Sequence, residues 1–311
     1  MTGRFARASA AVLLVIGGGF AAQGSDVPVA WQLVDEGWPN AFALVYYDEA
    51  AGRVGSIDLN SEGNAPRVWE LDQDDLWRRV FPGGDRPLLP VKCVGYHAGR
   101  DVLVRVDETG GTHELGSGGW SLVSVAGPPA PARCEMVYDA SRGVMVYIGV
   151  ESYDNDAPNA TWEYDGTTWV EIHPTNPPPA GLNPELTYDS DRGVVVAYGE
   201  PFDESQPVFQ AYVWEYDGVT WTPITPLGAT TPGRRREHAW VYDPGRGEAL
   251  LYAGIQDTVG TLADLWTWDG ARWTRLEEEA EPGARTGCDA VYDVLADRIV
   301  FYGGGGVAPR E

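Results

Sequence analysis

Along most of the chain, short apolar runs alternate with polar, glycine-bearing turns, and the alternation returns with a period near fifty residues. Three copies are plain: ARCEMVYDASRGVMVYIG…ATWEYDGTTWVEI, NPELTYDSDRGVVVAYG…YVWEYDGVTWTPI and REHAWVYDPGRGEALLYAG…DLWTWDGARWTRL. Tyr138, Tyr188 and Tyr242, each followed by aspartate, mark the first strand of a copy, and Trp169, Trp221 and Trp273 mark the last. Weaker copies begin at Tyr47, Tyr96 and Tyr292, so the tyrosine spacings are 49, 42, 50, 54 and 50. Six copies result, the last incomplete. Each predicts four strands. A first strand ends at Tyr-Asp, an Arg-Gly turn reverses the chain, and an apolar run such as Val144 to Ile148 ends at glycine. After a variable loop, a third strand turns at Asp-Gly, a pair suited to tight hairpins, and tryptophan opens the fourth. Four antiparallel strands repeated about an axis make an all-β propeller of about six blades.

These landmarks resemble the kelch repeat, including the bacterial kelch-like modules related to the central domain of galactose oxidase. The carriers are the glycines ending the second strand (Gly149, Gly199, Gly254, Gly303 and Gly304), the Trp-x-Tyr-Asp-Gly third strand and the tryptophan after it. WD40 repeats fit less well, because their blades are shorter and the Trp268-Asp269 pair is followed by a turn glycine. The resemblance implies a propeller over residues 25–311, with aromatics filling the space between blades. It does not extend to copper chemistry: the four histidines, His97, His113, His173 and His238, form no recurring pair, so no copper ligand and no cofactor is expected.

Composition agrees with that class. Hydrophobic residues make up 43% and aromatics 11%, enough for a large core, while 39 glycines and 23 prolines suit many short strands joined by turns. The net charge is -24 with a single lysine, Lys92, which disfavours nucleic acid and anionic membranes as partners.

The N-terminus reads as an export signal over residues 1–24. Arg4 and Arg7 precede an apolar stretch from Ala8 to about Ala22, and Ala22-Gln23-Gly24 offers small residues for cleavage before Ser25. The stretch is short for a membrane span and is broken by Gly17, Gly18 and Gly19, so no transmembrane span is expected and a secreted, periplasmic or extracellular monomer is. An uncleaved anchor is the alternative.

In a four-stranded meander, the loops after strands two and four emerge on one face, together with the starts of the first strands. The long second-strand loops are Val150 to Ala160, Glu200 to Ala211 and Ile255 to Ala263. Four residues before the landmark tyrosine stand Cys134, Pro184, His238 and Cys288, and Glu135, Glu185 and Asp289 come one place later. With Arg133, Arg236 and Arg285 these positions ring the expected channel mouth, so the candidate binding residues are Arg133, Glu135, Glu185, Arg236, His238, Arg285 and Asp289. A metal reading of Cys, His and Cys lacks a local ligand pair such as CxxC. The Asp and Arg of YDxxRG (Asp139 with Arg142, Asp189 with Arg192, Asp243 with Arg246) read as turn supports, since three copies of one active site explain a repeat poorly.

No GxSxG elbow, HExxH, phosphate loop or dinucleotide fingerprint is present. The leading expectation is therefore a secreted, non-catalytic scaffold binding a protein, peptide or glycan. The alternative is an extracellular carbohydrate-active enzyme using Glu135, Glu185 and Asp289 in the channel mouth. Two further expectations concern covalent and terminal structure. Trp31 to Val34 resembles a fourth strand and should close the last blade, whose third strand has no match after Gly306. Of three cysteines, Cys93 and Cys134 begin neighbouring inner strands and are the only pair placed to bridge; three buried thiols are the alternative.

Overall fold

A computed structural model describes residues 11–16, 29–35, 43–58, 66–84, 87, 91–124, 126–129, 133–150, 159–179, 182–201, 213–228, 230–256, 259–276 and 283–306. The protein is an all-β propeller of four-stranded antiparallel sheets. Five sheets are continuous runs of chain: blade 1 from Ala43 to Val80, blade 2 from Val91 to Ser124, blade 3 from Arg133 to Ile172, blade 4 from Leu182 to Ile224 and blade 5 from Ala239 to Leu276. In each, the strands pair in sequence order. A sixth four-stranded sheet joins Arg285–Asp293 and Arg298–Gly306 to Ala11–Ile16 and Val29–Asp35. The first strands of all six touch one another in a closed cycle and line the axis.

The sixth sheet corrects one expectation. The last blade is not short of a strand. Val29–Asp35, which contains Trp31 to Val34, is the outermost strand, but it reaches the sheet through Ala11–Ile16: Leu14 pairs with Trp31 on one side and with Ile299 on the other. The apolar segment read as the core of an export signal thus occupies the third-strand position.

The short spacing of 42 also has a structural reason. Blade 2 passes from its second strand, ending at Asp107, to its third, starting at Thr112, through a tight turn in which Asp107 accepts the Thr109 and Gly111 N–H groups. The long loops of blades 3 and 4 fall largely outside the described residues, with Tyr153, Asp154, Asp156, Phe202, Asp203, Glu204 and Phe209; so does Asp257 in blade 5, where Ile255–Gln256 and Gly260–Thr261 form a small hairpin.

The repeat landmarks act locally and between blades. In YDxxRG, Asp139 accepts the Ser141 and Arg142 N–H groups at 3.0 and 3.2 Å and pairs with the Arg142 guanidinium at 2.8 Å. Gly143 follows with φ +70°, a left-handed conformation that glycine adopts without strain. Asp189 with Arg192 repeats the pair at 2.7 Å, while Asp243 and Arg246 stand 3.7 Å apart. The tryptophans opening the fourth strands reach back to the preceding blade. Trp169 Nε1 donates to Thr112 Oγ1 at 2.8 Å, and Trp221 Nε1 to Thr161 Oγ1 at 3.0 Å. Such rings each remove on the order of 150–250 Å² from water, and they fill wedges such as that between Val104 and Val106 of blade 2 and Met145, Tyr147 and Trp169 of blade 3. The core is therefore a set of interblade wedges rather than one central mass. Among the described residues, no helix is long and apolar enough to cross a membrane.

Candidate functional site

The position three residues before each landmark tyrosine recurs at one level of the six first strands. Its occupants are Leu44, Cys93, Glu135, Glu185, Ala239 and Asp289. Three of the six are carboxylates, on blades 3 and 4 and the sixth sheet. Alternation along a strand sends Met136 and Tyr138 into the wedge shared with blade 2 and Val137 into that shared with blade 4. Asp289 is fixed toward the next blade, where its Oδ2 accepts the Val45 N–H at 2.8 Å.

The three carboxyl groups are half-buried, and they act on one another. Burial raises Glu135 to about 8, the negative charge of Asp289 adds to that rise, and Arg133 opposes it. Glu185 is raised well above the ordinary carboxylate range by burial and then by Glu135 and Asp289. Asp289 rises only to about 6, because the Val45 and Ala290 N–H groups favour its charged form. The channel therefore holds carboxyl groups that keep protons toward neutrality beside one that ionises earlier.

A fourth carboxylate was not singled out by the sequence. Glu237 precedes blade 5 with φ +55°, accepts a hydrogen bond from Thr286 Oγ1 at 2.7 Å through Oε2, and stands 3.7 Å from Arg133 Nη2 through Oε1. Its carbonyl accepts the Gly287 N–H at 2.9 Å. Glu237 thus ties blade 3 to the sixth sheet across the mouth. Its left-handed backbone is the feature that places it there, and nothing in the repeat pattern announces that conformation.

The other candidate residues are placed differently. His238 does not reach the rim: the ring is 1% exposed and meets Tyr198 edge-on at 5.3 Å. Burial, reinforced by Arg235, lowers it to about 3. Arg236 joins the mouth through its backbone, which exchanges two hydrogen bonds with Ile255 at 3.0 and 3.2 Å. Arg285 turns its guanidinium onto the Gly303 carbonyl at 3.2 Å. The fully buried arginine of this region is instead Arg235, which forms a fork to both oxygens of Asp264 at 2.7 and 3.0 Å and holds the Ala253 carbonyl at 3.0 Å.

The cysteines are thiols. Cys93 and Cys134 hydrogen-bond to one another, and Cys288 is buried with its thiol pushed up to about 12 by burial and by Asp289. Among the described residues, no group of three or more His, Cys, Asp and Glu is arranged to hold a metal ion.

No family model matches the sequence, and no curated protein matches it. Solved structures do resemble it in fold. A gluconolactonase from Xanthomonas campestris superposes with a TM-score of 0.59 at 14% identity, covering 97% of this chain and 96% of that one. YjhT gives 0.55 at 12% identity over 88% and 93% of the two chains. An auxiliary nutrient binding protein from Bacteroides thetaiotaomicron gives 0.53 at 11% identity over 95% and 77%. Identities this low speak for the propeller fold alone.

Proposed function

We propose that this chain is an exported, kelch-type binding propeller that takes a hydroxyl-rich ligand, a glycan or a polar peptide segment, at its channel mouth. The single observation behind the reading is the convergence of Glu135, Glu185 and Asp289 from three blades on one level of the channel, with Arg133 and Glu237 above them. Carboxyl groups that retain protons both donate and accept hydrogen bonds, and the paired arginine adds fixed donors; that mixture suits sugar hydroxyls and peptide amides. Kelch-type identity rests on the Tyr-Asp, glycine and Trp-x-Tyr-Asp-Gly landmarks at equivalent places in the blades. Export rests on Arg4, Arg7 and the apolar stretch after them, which in this reading directs the chain uncleaved and then enters the sixth sheet as Ala11–Ile16. Propeller neighbours include both a gluconolactonase and a nutrient binding protein, so the fold by itself favours neither binding nor catalysis.

A second reading has its own support. Asp289 near 6 and Glu135 near 8 are carboxyl groups whose surroundings set them apart, which is the relation a general base and a general acid require. In that reading the mouth cleaves the glycan it holds.

A glycan and peptide array probed with the secreted protein, followed by a hydrolysis assay on each hit, separates the readings. Binding without turnover, lost in Glu135→Lys and Glu185→Lys but kept in substitutions of Thr167 and Val219 at the opposite end, supports the scaffold. Turnover supports the enzyme. Loss of binding from Thr167 or Val219 with an indifferent mouth overturns both.

A further inference from the structure

A second site stands at the opposite end of the propeller, between blades 1 and 2. In blades 2, 3 and 4 an arginine leaves the first turn (Arg100, Arg142 and Arg192) and pairs with a third-strand glutamate of its own blade (Glu114, Glu163 and Glu215). Each arginine then lies over the third-to-fourth turn of the next blade. A Cβ on Gly166, Gly218 or Gly270 would come within 2.7, 2.8 and 2.8 Å of Arg100, Arg142 and Arg192 respectively. Arg142 also sits 5.2 Å from the centre of the Tyr216 ring. Three junctions are therefore stitched by a guanidinium from within.

Blade 1 keeps the acceptors and lacks the arginine. By strand register, Asp48 and Glu70 stand where blade 3 has Asp139 and Glu163, and Ala51 stands where it has Arg142. The facing turn, Gly116 to Gly119, brings no side chain larger than serine to fill the space. A cleft of about 570 Å³ results, walled by Asp48, Glu70, Tyr96, Asp101 and the 69% exposed Phe81. The sixth sheet also has alanine at this position, Ala296, but there Arg298 reaches back to Asp293 at 3.1 Å and across to Asp75 at 2.6 Å. Its counterpart Arg53 pairs with Glu70 at 2.6 Å. Among the described residues Asp48 has no ion pair; one oxygen accepts the Ala51 N–H at 2.7 Å, and the carboxyl group hydrogen-bonds to that of Asp101.

We propose that this cleft receives a guanidinium from another molecule, the arginine side chain of a peptide or protein segment, at Asp48, in the place that Arg142 takes beside Asp139 in blade 3. The chain itself supplies the precedent: in blades 3 and 4 the turn arginine pairs with the aspartate equivalent to Asp48 and with the glutamate equivalent to Glu70. A planar fork can engage two carboxylates at once, which a lysine ammonium cannot do with the same geometry. The net charge of -24 draws basic segments toward the surface.

Calorimetric titration of the full chain with acetyl-Gly-Arg-Gly-amide tests this, with the citrulline and lysine peptides as controls. The arginine peptide should bind about ten-fold more tightly than either control, as loss of one charge-assisted fork implies. Asp48→Asn should weaken it by a similar factor, and Ala51→Arg should abolish it while raising the melting temperature, because the variant restores the internal stitch. Glu171→Gln on an exposed outer strand should change nothing. Equal binding of the arginine and citrulline peptides, or binding unaltered by Asp48→Asn, overturns the site. Should Ala51→Arg fail to fold, the Asp48→Asn comparison decides alone.

Discussion

Glu135 and Asp289 occupy the same level on first strands three places apart in the ring of six, and the charge of Asp289 helps keep the proton on Glu135. Both groups bind protons more tightly in the folded chain than in the unfolded one, whose carboxyl values lie near 4. Their contribution to stability is therefore fully present below about pH 4 and is lost as pH rises through about 6 for Asp289 and about 8 for Glu135. Glu135→Gln should raise the melting temperature by roughly 2–4 °C at pH 8.5 and leave it nearly unchanged at pH 4. Thermal unfolding of both proteins at the two pH values checks this; a shift independent of pH refutes the coupling.

Trp221 is fully buried, stacks on Tyr216 with ring centres 5.0 Å apart and hydrogen-bonds to Thr161 of the preceding blade. Trp221→Ala should destabilise the chain by about 3–5 kcal/mol through the cavity left in a wedge that cannot collapse. Thr161→Val, which removes only the hydroxyl partner, should destabilise by about 1–2 kcal/mol. Urea unfolding followed by tryptophan fluorescence reports both.

Arg142 satisfies two carboxylates, Asp139 and Glu163, and lies on the Tyr216 ring of the next blade. Arg142→Ala leaves the Asp139 carboxylate unpaired at 1% exposure. Loss of a buried pair's partner destabilises by about 3–5 kcal/mol, and the partial exposure of the guanidinium lowers the expectation to about 2–3 kcal/mol. Arg142→Lys should recover only part, because one ammonium cannot span both carboxylates and cover the ring. Equal stability of the lysine variant and the parent in urea contradicts the stitch.

Much of this fold was legible because each landmark does one local job. Tyr-Asp and Asp-Gly mark turns through hydrogen bonds made within three residues, and the tryptophans mark wedges by their size. The carboxylate level was legible too, since Glu135, Glu185 and Asp289 share a place relative to the tyrosine. Their electrostatic coupling was not, because it depends on the width of the channel. Ala11–Ile16 was read as signal and not as strand because a short apolar run serves either role and the strand that ties it to the last blade lies nearly three hundred residues away. The pairings of Arg53 and Arg298 were not legible because both sit two residues beyond the repeat arginine and reach similar acceptors from a different strand. Burial of His238 followed from its neighbour Tyr198 in the preceding blade, a contact no linear pattern reveals.

The cysteines predict a redox response set by burial. Titration of the unfolded, unreduced chain should find three thiols, and all three should outlast a mild oxidant in the folded chain, because burial holds the Cys93 and Cys288 thiols protonated while the thiolate is the reactive form. Rapid loss of two thiols from the folded chain under that treatment would show that the contact between Cys93 and Cys134 is open to the oxidant.

The sixth sheet sets a timetable for synthesis. Val29–Asp35 emerges from the ribosome early, yet Arg298–Gly306, in the same sheet, follows some 270 residues later. At about 5–20 residues per second the early strand waits on the order of 15–50 s. Meanwhile blades 1 to 5 can form one after another, each built from local pairings, but the circle they make stays open with a bare face at each end. Completion of the last two strands is thus the step that covers both bare faces at once.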